Sequence, residues 1–279
     1  MSVLSIEDLT YSYPNTQTCA LDKVSLNIEE GEFVLITGAT GAGKTTLCRC
    51  MLGLIPHFFG GSMSGKVVVL GNNTLDTQPS RLAAKVGMVF QNPEDQLIAM
   101  SVEEELAFGP ENLGLPRDEI DERIDEALKL VKISELRDRS PYELSSGQQQ
   151  KVAIAAILAM RPEILILDEP TSMINPMSAV EIIEFLNTLN KEEGVTTIVT
   201  EHRLDSLVAF VDKIVILEKG AIWRVGSPQE VLSYDELLEI GISVPRIIQL
   251  TNRIRNAGYE IENLPLTIEE AASMFRRLQ

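Results

Sequence analysis

The sequence predicts an α/β protein with a parallel sheet core, an N-terminal antiparallel β part, a helical insertion and a small C-terminal helical domain. Strand-like and helix-like segments alternate along most of the chain, which is typical of a parallel sheet covered by helices. Short apolar runs such as Ile164 to Leu167 have the composition of strands buried on both faces. Charged helical patterns between residues 92 and 146 interrupt the alternation and predict the insertion.

Strand patterns are separated by turn residues, and helical patterns lie between them. The predicted strands are 3–9, 23–28, 32–37, 66–70, 86–90, 164–167, 196–200 and 213–217, and the predicted helices among them are 45–54, 147–160, 178–191 and 204–210. Further helices are predicted at 228–238 and 245–256, before a last helix with an apolar face of Ile268, Ala271, Ala272, Phe275 and Leu278.

These patterns divide the chain into two parts. Residues 1–227 form the predicted main domain, with its helical subdomain at about residues 92–146, and residues 228–279 form a C-terminal helical appendage. The apolar stripe of the appendage is too short to make a core alone. We therefore expect the appendage to form a dimer contact.

Composition excludes several classes of protein. The 279 residues include 24 Lys and Arg against 41 Asp and Glu, and the resulting charge of −17 argues against nucleic acid as a partner. The longest apolar stretch, Val152 to Met160, is too short to cross a membrane, and the N-terminus lacks a signal-peptide pattern, so we expect a cytoplasmic location. Cys19, Cys48 and Cys50 are too few and too clustered for a disulfide framework.

A glycine-rich loop carries the strongest chemical signal. Residues 38–45 fit G-x-x-x-x-G-K-[ST] between a predicted strand and a predicted helix, so they form a phosphate-binding P-loop. Backbone N–H groups would converge on phosphate oxygens, Lys44 would add its charge to the β- and γ-phosphates, and Thr45 would ligate Mg²⁺. The residues predicted to bind nucleotide here are Gly38, Ala39, Thr40, Gly41, Ala42, Gly43, Lys44, Thr45 and Thr46.

Two carboxylates follow the apolar strand at 164–167. Ligands bind at the carboxyl ends of strands in α/β sheets, so Asp168 is predicted to hold Mg²⁺ and Glu169 to polarise the attacking water. The same pair of residues is common at structural positions, but its occurrence after a P-loop favours catalysis.

Leu144-Ser145-Ser146-Gly147-Gln148 resembles the signature motif of ABC ATPases, a group of P-loop NTPases. Gln91 resembles the family's Q-loop glutamine and His202 its switch histidine, and the motifs occur in the family's order. The resemblance implies a head-to-tail dimer that holds ATP between the P-loop of one subunit and the signature of the other.

Specific roles follow from this resemblance. Ser145, Gly147 and Gln148 would serve the nucleotide of the opposite subunit, and Gln91 would join Thr45 and Asp168 around Mg²⁺. The implied catalytic residues are Lys44, Gln91, Glu169 and His202. Tyr11 and Tyr13 both offer a ring for adenine, and family position favours Tyr13.

A narrower resemblance appears in residues 90–97 and 102–116, which are similar to the ATPases of energy-coupling-factor and cobalt/nickel importers. It implies an ATP-hydrolysing subunit at the cytoplasmic face of the cell membrane, bound peripherally. Its partners would be a second ABC ATPase subunit, in a homodimer or a heterodimer, a transmembrane coupling protein and a substrate-binding membrane component. The imported solute would be a micronutrient, either a vitamin or a cobalt or nickel ion.

Two positions depart from the family pattern. Ser146 replaces the first glycine of the signature, and Asn175 stands where the D-loop normally has Asp. Asn175 keeps an acceptor but loses the charge, which leaves open a non-hydrolysing structural half of a heterodimer. A soluble ABC ATPase acting on DNA or ribosomes is a second alternative, although the sequence shows neither a long coiled-coil insertion nor basic arms.

Overall fold

Two β-sheets carry the functional loops of the protein. The computed structural model describes residues 1–259, 261 and 263–277. The strands of this part are β1 (Ser2–Ser12), β2 (Leu21–Glu29), β3 (Phe33–Gly38), β4 (Ser62–Val69), β5 (Asn72–Asn73), β6 (Val86–Val89), β7 (Ile164–Asp168), β8 (Thr196–Thr200), β9 (Lys213–Glu218) and β10 (Ala221–Gly226).

The first sheet is antiparallel, in the order β2-β1-β4-β5. The second has the order β10-β9-β3-β8-β7-β6, and all its strands are parallel except the edge strand β10. The predicted fold class is therefore confirmed, including the antiparallel N-terminal part. Strand β8 lies between β3 and β7, although it follows both of them in the chain.

Helices cover the sheets and form the insertion. The described helices are α1 (Lys44–Met51), α2 (Leu54–His57), α3 (Pro79–Ala83), α4 (Val102–Asn112), α5 (Arg117–Leu130), α6 (Ser146–Leu158), α7 (Pro176–Glu193), α8 (Pro228–Val231), α9 (Arg246–Asn256) and α10 (Ile268–Arg277). Helices α4 and α5 lie within the predicted insertion, between the adjacent strands β6 and β7.

The parallel sheet separates two apolar cores. Phe33 and Leu35 of β3 pack into the core shared with the helical insertion, whereas Val34 and Ile36 pack into the core shared with the antiparallel sheet and α1. The parallel strands therefore bury both faces, unlike the edge strand β10, and this explains the continuous apolar runs of the sequence.

Three predicted helices differ from the structure. Residues 205–210 form turns: Leu204, Leu207 and Val208 are buried with the spacing of one helical turn, but the N–H groups of Leu207 and Phe210 donate to carbonyl oxygens three residues earlier rather than four. The helix from 45 ends at Met51 rather than 54, where Gly53 takes a left-handed conformation with φ of +69°. The helix predicted at 228–238 divides into α8 and a 3₁₀ turn at Asp235–Leu238.

The C-terminal segment packs against the main body. Most of its buried apolar side chains belong to the same apolar core as the helical insertion, namely Val231, Leu232, Leu237, Ile242, Val244, Ile248 and Leu264. On α10, Ala271 is buried, Phe275 is half-buried, and Ile268 and Ala272 are exposed. Leu278, the fifth residue of the predicted apolar face, lies outside the described residues. The predicted face is thus divided between an inner and an outer side.

Candidate active site

The loop between β3 and α1 is held in close contact with neighbouring backbone. A Cβ atom on Gly38 would clash with the carbonyl oxygen of Leu217, and one on Gly43 would lie 2.7 Å from the carbonyl oxygen of Ala20. Gly43 also has a φ of +106°, which side-chain-bearing residues rarely adopt. Only glycine fits at these two positions, so the fold requires the glycines that the motif contains.

Helix α1 begins at Lys44 directly after this loop. Gly43 is its N-cap and provides no side-chain hydrogen bond, so the first N–H groups of the helix have no side-chain cap. Such a terminus attracts anions through its N–H groups and its dipole. The predicted nucleotide-binding residues 38–46 therefore lie together in one loop and one helical turn, with Thr45 partly exposed and Thr46 buried.

Three side chains from separate segments converge on the Glu169 carboxylate. Its Oε2 accepts a hydrogen bond from Gln91 Nε2 at 2.9 Å, and its Oε1 lies 2.8 Å from His202 Nε2. The ammonium of Lys44 lies 3.5 Å from the same Oε1. The structure thus brings together all four residues predicted to be catalytic, which we call the Glu169 cluster.

Lys44 is held deep within this cluster. Its side chain is 5% exposed, and Nζ donates to the carbonyl oxygen of Gly38 at 3.1 Å and lies 3.1 Å from His202 Nε2. The ammonium therefore lies at the mouth of the phosphate-binding loop, between the carbonyl oxygen of Gly38 and the Glu169 carboxylate.

Thr200 links the two acidic residues of the site, and the sequence analysis missed it. In the parallel pairing of β7 and β8, Asp168 is the register partner of Thr200. The Thr200 hydroxyl donates to Asp168 Oδ1 at 2.6 Å and accepts from the backbone N–H of Glu169 at 3.0 Å. Glu169 itself has a φ of +50°, a strained value that is often found at functional sites.

The predicted magnesium ligands supply oxygen atoms of the kind this ion prefers. Mg²⁺ keeps several waters and takes one or two carboxylates together with substrate phosphates. Asp168 offers a buried carboxylate, Thr45 a hydroxyl and Gln91 an amide oxygen. In the described part of the chain, no group of three or more His, Cys, Asp and Glu side chains is placed to hold a metal ion. The set of Thr45, Asp168 and Gln91, which contains one carboxylate, therefore fits an ion that arrives with a phosphate.

The signature residues lie at the start of α6 rather than in the Glu169 cluster. Ser145 caps the helix, and its backbone N–H donates to Gln148 Oε1 at 3.0 Å in a capping box. A Cβ on Gly147 would lie 2.9 Å from Ser178 Oγ, so α6 closely approaches the start of α7. Asn175 caps α7 by accepting from the Ser178 N–H at 3.0 Å. The signature and the D-loop asparagine are therefore neighbours.

Tyr11 and Tyr13 have different environments. Tyr11 is fully buried, and its hydroxyl donates to the carbonyl oxygen of Gly60. Tyr13 is half-buried, and its hydroxyl is 3.1 Å from Thr46 Oγ1 and accepts from Arg49 Nη1 at 3.2 Å. Of the two, Tyr13 is the one that is partly exposed and directly linked to helix α1, and its ring packs against those of Tyr11 and Phe59.

Comparison with known proteins agrees with this geometry. Residues 21–172 match the family described as ABC transporter. The chain is 41% identical to a protein of Pyrococcus horikoshii that carries the provisional name ABC transporter ATP-binding protein, over 99% of this chain and 97% of that protein. A Methanosarcina mazei protein with the same provisional name is 43% identical over 90% of this chain, which spans 43% of that relative's length.

Solved structures give the same result. CbiO1 of Clostridium perfringens, part of the ABC transporter complex CbiONQ, is 35% identical with a TM-score of 0.77, over 90% of this chain and 98% of that one. An ATP-binding cassette solved as a dimer in a post-hydrolysis state with ADP and Pi is 29% identical with a TM-score of 0.71, over 81% of this chain and 99% of that one.

The described helices include none that is long and apolar enough to cross a membrane.

ATP-binding domains of the matched family bind ATP and hydrolyse it to drive transport. The family match covers residues 21–172, and the 41% identity extends over nearly the whole chain. Both agree with the P-loop and the Glu169 cluster. The chain belongs to the ATP-binding proteins of the ABC transporter family.

Proposed function

We propose that this chain hydrolyses Mg-ATP to energise a multicomponent membrane importer of a micronutrient, either a vitamin or a cobalt or nickel ion. The observation that carries the catalytic part is the convergence of Gln91, His202 and Lys44 on the Glu169 carboxylate. A water held beside this carboxylate would lose its proton to Glu169 as it attacks the γ-phosphate.

The other residues of the cluster act on the nucleotide. Lys44 binds the β- and γ-phosphates, and the N–H groups at the start of α1 bind their oxygens. His202 donates to the γ-phosphate. Mg²⁺ held through Thr45, Asp168 and Gln91 would neutralise the charge that develops on the phosphates. Since Lys44 and His202 contact Glu169 here, a phosphate that attracts both groups would free the carboxylate for the attacking water.

A second subunit completes the proposed site. Ser145, Gly147 and Gln148 lie outside the Glu169 cluster, in agreement with a role at the nucleotide of the opposite subunit. The similarity to a cassette solved as a dimer with ADP and Pi supports this arrangement. The segment 228–279 would add the nucleotide-independent contact, through the exposed side of α10.

The membrane partner is proposed from the segment after Gln91. Phe90, Ile98 and Met100 have exposed apolar side chains, and the Met100 side chain is 75% exposed. The loop that carries them is fixed by Glu105, a buried carboxylate that accepts from the N–H groups of Ile98 and Ala99 at 2.8 Å. This loop would receive a helix of a transmembrane coupling protein beside the substrate-binding component, and the similarity to CbiO1 supports that assembly.

Glu169→Gln tests the catalytic part of the proposal. The variant should still bind Mg-ATP and accumulate as an ATP-bound dimer, while its turnover should fall at least about 100-fold, because the base is lost and the phosphate cradle is kept. The assays are phosphate release and size-exclusion chromatography with ATP. Glu163→Gln, an exposed residue paired with Lys85, is the matched control and should hydrolyse ATP normally. Near-normal turnover in Glu169→Gln would show that another group is the base.

Affinity capture tests the partner. Wild-type protein expressed in its own host should copurify from solubilised membranes with integral membrane proteins, and Met100→Glu should lose them, because it places a charge in the proposed apolar contact. Its melting temperature monitors folding. Copurification with ribosomes or DNA would instead support the soluble alternative. Turnover that appears only when a different ATPase subunit is added would support the structural half of a heterodimer.

A further inference from the structure

Glu201 is a buried acidic residue that the proposed catalytic roles leave unused. It follows β8, between Thr200, which binds Asp168, and His202, which contacts Glu169. Its side chain is only 2% exposed. Its backbone N–H donates to the carbonyl oxygen of Ile36, near the end of β3. Glu201 is therefore anchored beside the P-loop strand.

The carboxylate of Glu201 joins two loops of the site. Oε1 accepts from the backbone N–H of Thr171 at 3.0 Å and from the Thr171 hydroxyl in a short hydrogen bond. Oε2 accepts from the backbone N–H of His202 at 3.1 Å. Thr171 begins the five-residue segment that ends at Asn175, the cap of α7. One carboxylate thus connects the histidine of the cluster to the D-loop.

A glutamate is required for this arrangement. In the described part of the chain, Glu201 has no ion pair, so its two buried oxygens are satisfied by the three hydrogen bonds that they accept. Glutamine could accept from Thr171, but its NH₂ group would then face the His202 N–H, donor against donor. Aspartate is one methylene shorter and would not span both loops.

We propose that Glu201 is a positioning residue that couples His202 to the Thr171–Asn175 segment. When His202 shifts toward a γ-phosphate, its backbone N–H carries the hydrogen-bonded Glu201 carboxylate with it. The carboxylate then pulls on Thr171, and the D-loop changes its position at the subunit interface. This inference rests on the proposed function, because it needs His202 to contact the nucleotide. It adds a link between that contact and the segment that faces the second subunit.

The test combines Glu201→Gln with steady-state ATPase kinetics and nucleotide binding. We expect kcat to fall about tenfold or more while the Kd for Mg-ATP stays within about twofold, because the phosphate cradle is untouched. In a Glu169→Gln background, adding Glu201→Gln should weaken ATP-dependent dimerisation. A role limited to stability would instead lower the melting temperature and leave the kcat per folded molecule unchanged.

Two further variants keep the test decisive. Thr171→Val removes one hydroxyl and leaves the loop backbone, so it should lower kcat less than Glu201→Gln, and the double variant should be no slower than Glu201→Gln alone. Thr171→Val also reports on the coupling if Glu201→Gln does not fold. Glu184→Gln, an exposed residue of α7, controls for the loss of one negative charge.

The outcomes separate this inference from the proposed function. Loss of turnover in Glu169→Gln together with normal kcat and dimerisation in both Glu201→Gln and Thr171→Val would overturn the coupling alone. Retained turnover in Glu169→Gln would overturn the proposed mechanism. Independent, multiplicative effects of Glu201→Gln and Thr171→Val would show that the two side chains do not act through one another.

Discussion

Replacing Thr200 with valine should destabilise the protein far more than the same replacement three residues earlier. Valine keeps the shape of threonine but removes the hydroxyl, which is fully buried and donates to Asp168 at 2.6 Å. Asp168 is itself only 3% exposed, so its carboxylate loses a charge-assisted donor that water does not easily replace. Such a bond contributes about 1.5–3 kcal/mol.

The second partner of the hydroxyl adds little to this loss. The Glu169 N–H also donates to the Thr200 carbonyl oxygen at 3.0 Å, and valine keeps that bond. We therefore expect Thr200→Val to lower the free energy of unfolding by about 2–3 kcal/mol.

Thr197 offers a matched control on the same strand. It is also fully buried, but its hydroxyl donates to the neutral carbonyl oxygen of Val195 at 3.1 Å. Thr197→Val should therefore cost only about 1 kcal/mol. Urea denaturation measures both values. Equal losses in the two variants, within about 0.5 kcal/mol, would refute the claim that the Asp168 bond is the stronger one. Thr200→Val should also need more Mg²⁺ for half-maximal turnover, since Asp168 would lose its orientation.

Three other perturbations test separate parts of the structure. Asn175→Asp should keep the cap of α7 and the melting temperature. If the chain pairs with itself, the variant should raise turnover severalfold, because a charged acceptor adds about 1 kcal/mol to the interface. Unchanged turnover would assign the D-loop's role to its backbone. Ile268→Asp should weaken nucleotide-free association in analytical ultracentrifugation without lowering the melting temperature, since this side chain is 73% exposed. Unchanged association would exclude α10 as the contact. Maleimide at pH 8 should modify only the exposed Cys19 in the native protein, because burial raises the pKa of Cys50 to about 12 and raises that of Cys48 well above its usual value. Mass spectrometry should show all three thiols modified in urea, and native labelling of Cys50 would contradict its burial.

The convergence of the catalytic residues could be anticipated from local patterns. The phosphate-binding loop with Lys44 follows β3, while Gln91, Glu169 and His202 follow β6, β7 and β8 within two residues. The carboxyl ends of parallel strands meet at one edge of the sheet, so residues that follow such strands come together. Recognising the strands is therefore enough to predict that the residues after them lie close together, whereas the choice of Gln91 and His202 as catalytic residues came from the resemblance to ABC ATPases.

The roles of Thr200 and Glu201 could not be anticipated in this way. Both depend on which residue of a distant strand or loop stands opposite, namely Asp168 in the register of β7 with β8 and Thr171 beyond it. Nothing in the local sequence encodes that register. The wrong helix at 204–210 has a related cause, since its apolar residues pack against the core while the chain turns back toward β9.

The position of β8 between β3 and β7 has a consequence for biosynthesis. A nascent chain that has emerged only as far as residue 195 contains β3 and β7 but lacks β8, the strand that pairs with both of them in the folded protein. Until residues 196–200 insert, both strands present unpaired N–H and C=O groups, which are prone to pairing with other chains. This insertion joins segments more than 150 residues apart, as in the pairing of Phe33 with Thr197, and contacts of such separation form slowly. Chains stalled before residue 196 should therefore be the most aggregation-prone intermediates, and they would depend most on chaperones at the ribosome.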